Sequence, residues 1–394
     1  MVFGHLTLAV IDRNLDGSLR GANLLELHPQ LSWLTALAPM PVFFCAAGWA
    51  NSTTTTASVA GRLRTLVGLG AVVVTLWSTA AIVELLVLRH GSIVADGARI
   101  ATQPLWFLAA YVPFTAAGAH LSKLATRPVM AVGACLAVLA GLDVARFALG
   151  APTALGWPGF VAAWVVPWLL GAWWRHRGAS HSINEVRVGT AFVITAVVCA
   201  ALLVRFAGYS PALIDAVKGR RSNTTPPTLY TAVAALAQVG ALMMVAATLD
   251  RIGTRFKQLL DRAGQASVGV YLWHLSALSI CAALLAAGLW TPDRFSLAWW
   301  LSRPLWLAGV LAVTVLLVSV TNIARRAING RGIGHHRATT GGNTLWLGVA
   351  LSTLGAAVVG VAGPRTLPAA VVGIVSFVGG WLLLASPRLR QRPT

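Results

Sequence analysis

The sequence is poor in charged residues, which decides the broad class of the protein. Only 10% of its 394 residues are Asp, Glu, Lys or Arg, whereas a soluble globular chain carries about 25%. Hydrophobic residues make up 57% of the chain, and the mean hydropathy is +0.74. So few charges cannot cover the surface of a soluble protein of this length. The composition therefore excludes a soluble protein and predicts a polytopic membrane protein.

Acidic residues are the scarcer of the charged ones, with 11 Asp and Glu against 30 Lys and Arg, a net charge of +19. In a membrane protein this excess is typical of cytoplasmic loops that meet anionic lipid headgroups. No nucleic-acid-binding module stands between the apolar segments, so we expect membrane lipids and no nucleic acid as partners.

Cysteine is also scarce, and its four residues each stand alone in an apolar segment. None has CxxC spacing, so the sequence predicts neither a metal site nor a disulfide framework. We expect all four to be buried by packing. They are Cys45, Cys135, Cys199 and Cys281.

Long apolar segments are abundant, and a membrane helix needs about 20 mostly apolar residues. The sequence predicts an all-α polytopic integral membrane protein with about eleven complete transmembrane helices and an incomplete N-terminal one. The incomplete helix is residues 1–11, which we interpret as the second half of a helix that lacks its first half. They have no basic n-region or cleavage site typical of a signal peptide. The complete spans are 33–50, 65–88, 104–122, 129–149, 157–174, 188–206, 228–249, 266–289, 305–323, 343–363 and 366–385.

Ionisable residues inside apolar spans are costly and are therefore candidates for function. Asp143 and Arg146 are three residues apart, so on a helix they share a face and can pair, as a structural or as a catalytic pair. Glu84 lies near the outer end of its span, where its carboxylate can reach water. His274 follows Tyr271 by three residues on one helix face. His5 follows a glycine, so an acceptor group could approach its imidazole closely.

Burial would keep the His5 imidazole neutral, as a general base requires. For His274 the alternative is a hydrogen-bonded structural residue. Arg62 and Arg64 lie at a predicted helix start on the cytoplasmic side. There they would bind a phosphate-bearing substrate or anchor the topology of the chain.

Several segments combine into a recognisable pattern. They are Val2-Phe3-Gly4-His5, PVFFCAAGWAN (41–51), Arg62 with Arg64, PLWFL (104–108), Asp143 with Arg146, SNTTPPT (222–228) and SVGVYLWHLSAL (267–278). In order and spacing they resemble the acyltransferase-3 family of polytopic membrane O-acyltransferases. The resemblance covers residues 1–325, and residues 343–394 add two further helices and a basic tail. We expect these two helices to serve packing.

This resemblance implies an enzyme of the cell membrane that transfers an acyl group from a thioester donor to a hydroxyl of an envelope carbohydrate or lipid. The donor would be acyl-CoA, and no bound cofactor or metal is implied. By the resemblance His5 is the catalytic base, and Arg62 and Arg64 bind the donor. The residues that shape the transfer site are Asn51, Trp106, Asp143, Arg146, Tyr271 and His274.

Two departures from the family pattern keep other interpretations open. The family has an arginine about ten residues before the catalytic histidine, and this chain begins four residues before His5. The arginine cluster is also short, because Thr65 follows Arg64. The alternatives are a transporter or flippase of an envelope precursor and a non-catalytic relative of the family.

Overall fold

The computed structural model describes residues 9–13, 19–53, 56–88, 93–178, 183–214, 222–286, 292–293, 295–330 and 342–385. Nearly all of them are helical, and ten of their segments are long and apolar enough to cross a membrane. The predicted all-α polytopic membrane fold is therefore confirmed.

Within this described part, the elements are fourteen α-helices, two strands and four short segments of other helix types. In chain order they are β1 (Ala9–Arg13), β2 (Leu19–Asn23), α1 (Leu24–Leu27), a 3-10 helix (Pro29–Leu37), α2 (Met40–Asn51), α3 (Thr56–Val83), a π-helix (Glu84–Leu88), α4 (Ile93–Thr102), α5 (Leu105–Ala116), α6 (Gly118–Leu124), α7 (Pro128–Phe147), a 3-10 helix (Thr153–Gly156), α8 (Gly159–His176), α9 (Ile183–Phe206), α10 (Leu229–Arg255), α11 (Lys257–Ala286), α12 (Leu297–Gly330), α13 (Gly342–Ala357), a π-helix (Val358–Ala362) and α14 (Leu367–Ala385).

The span predicted over residues 104–122 is not one continuous helix. It is divided into α5 and α6, with Ala117 between them. Gly118, at the start of α6, is a weak helix former. Hydropathy does not register this effect, which is why the prediction of one helix was wrong here.

The prediction of a helix for residues 1–11 is wrong for residues 9–11. They belong to β1, which pairs with β2 in a two-stranded sheet. A short apolar run is compatible with helix or strand, and the β-branched Val10 and Ile11 favour the strand.

Glu84 does not reach water, because its side chain is buried at 3% exposure. Its Oε1 accepts a hydrogen bond from the Val94 N–H over 2.9 Å, and its Oε2 accepts one from the Ala95 N–H over 2.7 Å. Both donors are in the first turn of α4, where backbone N–H groups lack helical partners. Glu84 is therefore a cap of α4.

The chain divides into two compact units. The first is built from Ala22–Thr54 and Ala117–Leu260, and the second from Val2–Gly21, Thr55–Ala116 and Asp261–Thr394, as far as these residues are described.

In the first unit, α2 and α8 approach at backbone distance. A Cβ added at Gly171 would lie 2.7 Å from the carbonyl carbon of Cys45, and one added at Gly48 would lie 2.8 Å from the carbonyl carbon of Trp168. Close approach at small residues is the usual way for membrane helices to associate. Phe44 of α2 also stacks on Trp164 of α8, with 5.1 Å between ring centroids.

In the second unit, α13 and α14 pack against each other, α13 packs against α5, and α14 packs against α3. Phe377 of α14 is fully buried, and its ring lies where a Cβ on Gly70 of α3 would be. A Cβ on Gly360 would lie 2.5 Å from the backbone nitrogen of Trp106 in α5. The two C-terminal helices are thus part of the core of this unit.

Apolar side chains cover much of the outer surface. In α7 and α9 only 11% of the membrane-spanning window is buried, and the apolar Val129 is 87% exposed. In water such a surface would be unfavourable, whereas hydrocarbon solvates it. We infer that these helices face lipid.

Candidate functional site

Trp106, Tyr271 and His274 lie in one cluster of the second unit. The Tyr271 hydroxyl donates a hydrogen bond to the Pro104 carbonyl over 3.1 Å. The ring of Phe107 lies 6.3 Å from that of Trp106 and 5.3 Å from that of Tyr271, edge to face in both pairs. Phe107 thus connects the PLWFL segment of α5 to the YLWH segment of α11. Its role was not predicted from the sequence.

His274 is held in a defined orientation in this cluster. Its imidazole is 1% exposed, and its Nδ1 lies 2.6 Å from the Tyr271 carbonyl oxygen. A carbonyl oxygen only accepts, so Nδ1 carries the hydrogen and, in the neutral ring, Nε2 carries the lone pair. Two residues further on, Ser276 accepts a hydrogen bond from the Trp77 indole over 2.9 Å, which fixes α11 against α3. A buried imidazole of this tautomer can accept a proton or a hydrogen bond at Nε2.

Arg62 and Arg64 are the seventh and ninth residues of α3, because this helix begins at Thr56 and not at residue 65. Arg62 is exposed and Arg64 half-buried, while Leu63 between them is fully buried in the core of the second unit. The Arg64 Nε is buried and has no hydrogen-bond partner among the described residues.

In the first unit, the Asp143 carboxylate accepts three hydrogen bonds. Its Oδ1 accepts from the Arg146 Nη1 over 3.3 Å. Its Oδ2 accepts from the Tyr209 hydroxyl over 2.8 Å and from the Leu229 N–H over 2.7 Å. The pairing expected from the three-residue spacing is thus present, but two further donors share the carboxylate. Asp143 therefore ties the end of α7 to the segment after α9 and to the start of α10.

Tyr209 follows α9 and lies outside the membrane-spanning helices. Burial raises the pKa of its phenol above the ordinary value, and the hydrogen bond to Asp143 together with the negative charge of that carboxylate raises it further. The phenol therefore stays protonated and remains a donor.

Arg146 has spare capacity as a donor. Its side chain is 7% exposed, and its Nε is buried without a hydrogen-bond partner in the described part of the chain. Its guanidinium carbon lies 4.9 Å from the centroid of the Phe147 ring. Gly156 leaves room for it, since a Cβ there would lie 2.6 Å from Nη1. A buried guanidinium of this kind can bind a hydroxyl or an anion.

The segment from 222 to 228, which resembles a family loop motif, is a hydrogen-bonded turn near Asp143. The Asn223 amide donates to the carbonyls of Ser210 over 2.8 Å and Ala212 over 2.7 Å. Its Oδ1 accepts from the Thr228 hydroxyl over 2.9 Å. These bonds fix the segment that carries Tyr209 and the start of α10.

Asn51 lies at the other end of the first unit. It is the last residue of α2, is 3% exposed, and lies against Gly118 of α6. At the same end, the Ser122 hydroxyl donates to the Ser52 carbonyl over 3.1 Å and lies 2.8 Å from the His176 Nε2. The C-termini of α2, α6 and α8 therefore meet here.

The predicted site residues thus form two groups, described within their own units. Asn51, Asp143 and Arg146 belong to the first unit, at two different ends of it, and the second unit holds Arg62, Arg64, Trp106, Tyr271 and His274. His5 lies outside the described residues. Tyr209 and the Leu229 N–H were missed by the sequence analysis, because no spacing links them to Asp143. The described residues contain no group of three or more His, Cys, Asp or Glu that could hold a metal ion.

These observations define an all-α polytopic membrane protein with buried ionisable and aromatic side chains inside its spans. A family model for the acyltransferase domain of the acyltransferase-3 family matches residues 1–322. The chain therefore belongs to the acyltransferase-3 family, and it is a membrane acyltransferase. No curated protein and no solved structure matches it.

Proposed function

We propose that this acyltransferase moves an acyl group from acyl-CoA to a hydroxyl of an envelope carbohydrate or lipid, in the cell membrane. The hydroxyl oxygen attacks the thioester carbonyl carbon, so that a C–O bond forms and the C–S bond breaks. The proton of the hydroxyl passes to the His5 imidazole and from there to the leaving thiolate. The products are an O-acyl ester and free CoA.

The observation that carries this proposal is the family match over residues 1–322, because it includes every predicted site residue. The arginines of α3 support the donor assignment. CoA carries phosphates, and guanidinium groups bind phosphate by charge-assisted hydrogen bonds. The exposed Arg62 and the half-buried Arg64 supply two such groups, two residues apart on α3.

The cluster around His274 supports a site from which water is excluded. The His274 ring lies 5.8 Å from that of Tyr271, which packs on Phe107 and through it on Trp106, and the Tyr271–Pro104 hydrogen bond holds α11 and α5 together. Acyl transfer to a hydroxyl acceptor needs reactants held in position, and it competes with hydrolysis by water. We assign Trp106, Tyr271 and His274 to shaping this site.

The test of the reaction is mass spectrometry of envelope lipids and glycans from cells making the chain or its His5→Ala variant at equal membrane abundance. His120→Ala is the matched control, because His120 is an exposed histidine of α6. We expect an acyl-sized mass increase on one glycan or glycolipid with the unchanged chain and with His120→Ala, and none with His5→Ala. An acyl product from all three would contradict a catalytic His5, and no acyl product from any of them would favour the transporter or the non-catalytic relative.

The test of the donor uses the purified enzyme with acyl-CoA and with acyl-pantetheine, which lacks the nucleotide phosphates. The Arg62→Gln/Arg64→Gln variant should raise the KM for acyl-CoA by about tenfold per arginine and leave that for acyl-pantetheine unchanged. Arg251→Gln/Arg255→Gln is the control, because it removes two exposed arginines from the end of α10. A similar KM increase with both donors would contradict phosphate binding by Arg62 and Arg64.

A further inference from the structure

The first unit carries a groove that is cationic at one end and apolar along the rest of its length. Its volume is about 550 Å³, and it is formed by the end of α6, the first two turns of α7 and the middle of α8. No step of the proposed acyl transfer uses it. Its lining residues are Lys123, Leu124, Thr126, Arg127, Met130, Ala131, Ala134, Cys135, Val165 and Leu169.

The cationic end is formed by Lys123 and Arg127. Both side chains are exposed, and neither forms an ion pair within the described part of the chain. The Thr126 hydroxyl between them donates to the Lys123 carbonyl over 2.7 Å, so it turns toward the backbone. Lys123 lies in the last turn of α6 and Arg127 precedes α7, so the two cations flank the turn between these helices, where they can hold one phosphate.

More cations gather at this end of the unit. Arg175 and Arg177 lie at the end of α8, next to the Ser122–His176 contact that joins α8 to α6. The carboxylate of Glu185, at the same end, is 9% exposed and accepts a hydrogen bond from the Trp174 indole. By the positive-inside rule this end faces the cytoplasm, where the leaflet is rich in anionic lipids.

The apolar length of the groove lies along a helix that faces lipid. From Arg127 to Cys135 it extends about 12 Å along α7, at 1.5 Å per residue, and Val165 and Leu169 of α8 form its buried wall. Water in this part would find no polar partners. A hydrocarbon chain needs no polar partners, so an acyl chain of a bilayer lipid can fill this part of the groove.

We propose that this groove binds an anionic phospholipid of the cytoplasmic leaflet. Its phosphate lies between Lys123 and Arg127, and one acyl chain follows α7 past Met130 and Ala131. The cations at one end of the groove match the anionic phosphate of the lipid, and the apolar wall beyond them matches its acyl chain.

The test is native mass spectrometry of the full chain in detergent, incubated with phosphatidylglycerol or with phosphatidylcholine of the same acyl chains. We expect one phosphatidylglycerol to be retained in preference to phosphatidylcholine. Lys123→Gln/Arg127→Gln should weaken phosphatidylglycerol binding by about 30-fold, since each cation contributes about 1 kcal/mol near an anionic headgroup. Phosphatidylcholine binding should weaken less, because its choline cation neutralises the charge of its phosphate.

Arg251→Gln/Arg255→Gln removes the same charge away from the groove and should leave the lipid preference intact. Ala131→Phe should fill the apolar part and reduce retention of both lipids while Lys123 and Arg127 remain. If the double glutamine variant of Lys123 and Arg127 does not fold, Ala131→Phe tests the proposal by itself. Unchanged phosphatidylglycerol binding in the groove variants overturns the proposal. If acyl-CoA displaces the bound lipid one for one, the groove is a binding site for the acyl donor, and this result also overturns the proposal.

Discussion

Tyr209 donates its phenolic hydrogen to the Oδ2 of Asp143 over 2.8 Å, and this bond connects two segments 66 residues apart in sequence. Tyr209→Phe keeps the ring and removes the donor. We expect it to lower the free energy of unfolding by roughly 2 kcal/mol, because a buried carboxylate loses one of its hydrogen bonds. Thermal unfolding in detergent, followed by circular dichroism, measures the loss.

Tyr230→Phe is the matched comparison for this effect. The Tyr230 hydroxyl donates to the neutral carbonyl of Pro211 over 2.8 Å in the same unit. A hydrogen bond between neutral groups contributes about 1 kcal/mol, so Tyr230→Phe should be the milder change. Equal losses for the two variants would show that the charge of Asp143 adds nothing to the Tyr209 bond.

The raised pKa of Tyr209 predicts a dependence of stability on pH. In the unfolded chain this phenol loses its proton near pH 10, whereas in the folded chain it holds the proton to higher pH. The contribution of Tyr209 is therefore complete below about pH 10 and declines as the pH rises above that value. The stability difference between the unchanged chain and Tyr209→Phe should shrink between pH 9 and pH 11. A constant difference over that range would contradict the raised pKa.

The sequence predicted much of the fold, because hydropathy identifies spans with few assumptions. It could not locate the break between α5 and α6 before Gly118, because hydropathy does not register the weak helix propensity of glycine. It also could not show that Glu84 caps α4, because the two N–H donors lie ten and eleven residues further along the chain.

The candidate site was predictable only in part. The pairing of Asp143 with Arg146 follows from helix geometry, since the two lie on one face. The other donors to Asp143 come from the segment after α9 and from the first residue of α10, and no local pattern encodes which of these segments meet. The same holds for Tyr271, whose bond to the Pro104 carbonyl spans 167 residues.

Glu84 offers a test of capping inside an apolar span. Glu84→Ala removes both acceptors for the Val94 and Ala95 N–H groups and leaves these donors buried. We expect a loss of roughly 2–4 kcal/mol in the free energy of unfolding, with a smaller loss for Glu84→Gln, which keeps one acceptor oxygen. Unfolding in detergent measures both variants. If Glu84→Ala is as stable as the unchanged chain, the cap does not stabilise α4.

The close approach of α2 and α8 gives a prediction with a control inside the same unit. A methyl group at Gly171 would meet the Cys45 backbone, which cannot move without separating the two helices. We expect Gly171→Ala to destabilise the protein by about 1–3 kcal/mol, as overpacking does. Gly141→Ala is the control, because nothing lies within 4 Å of a Cβ at Gly141. Alanine is the better helix former, so this control should be neutral or gain up to about 1 kcal/mol. The melting temperature in detergent should therefore fall for Gly171→Ala, and it should stay unchanged or rise for Gly141→Ala. Equal melting temperatures would mean that the α2–α8 contact is not a close one.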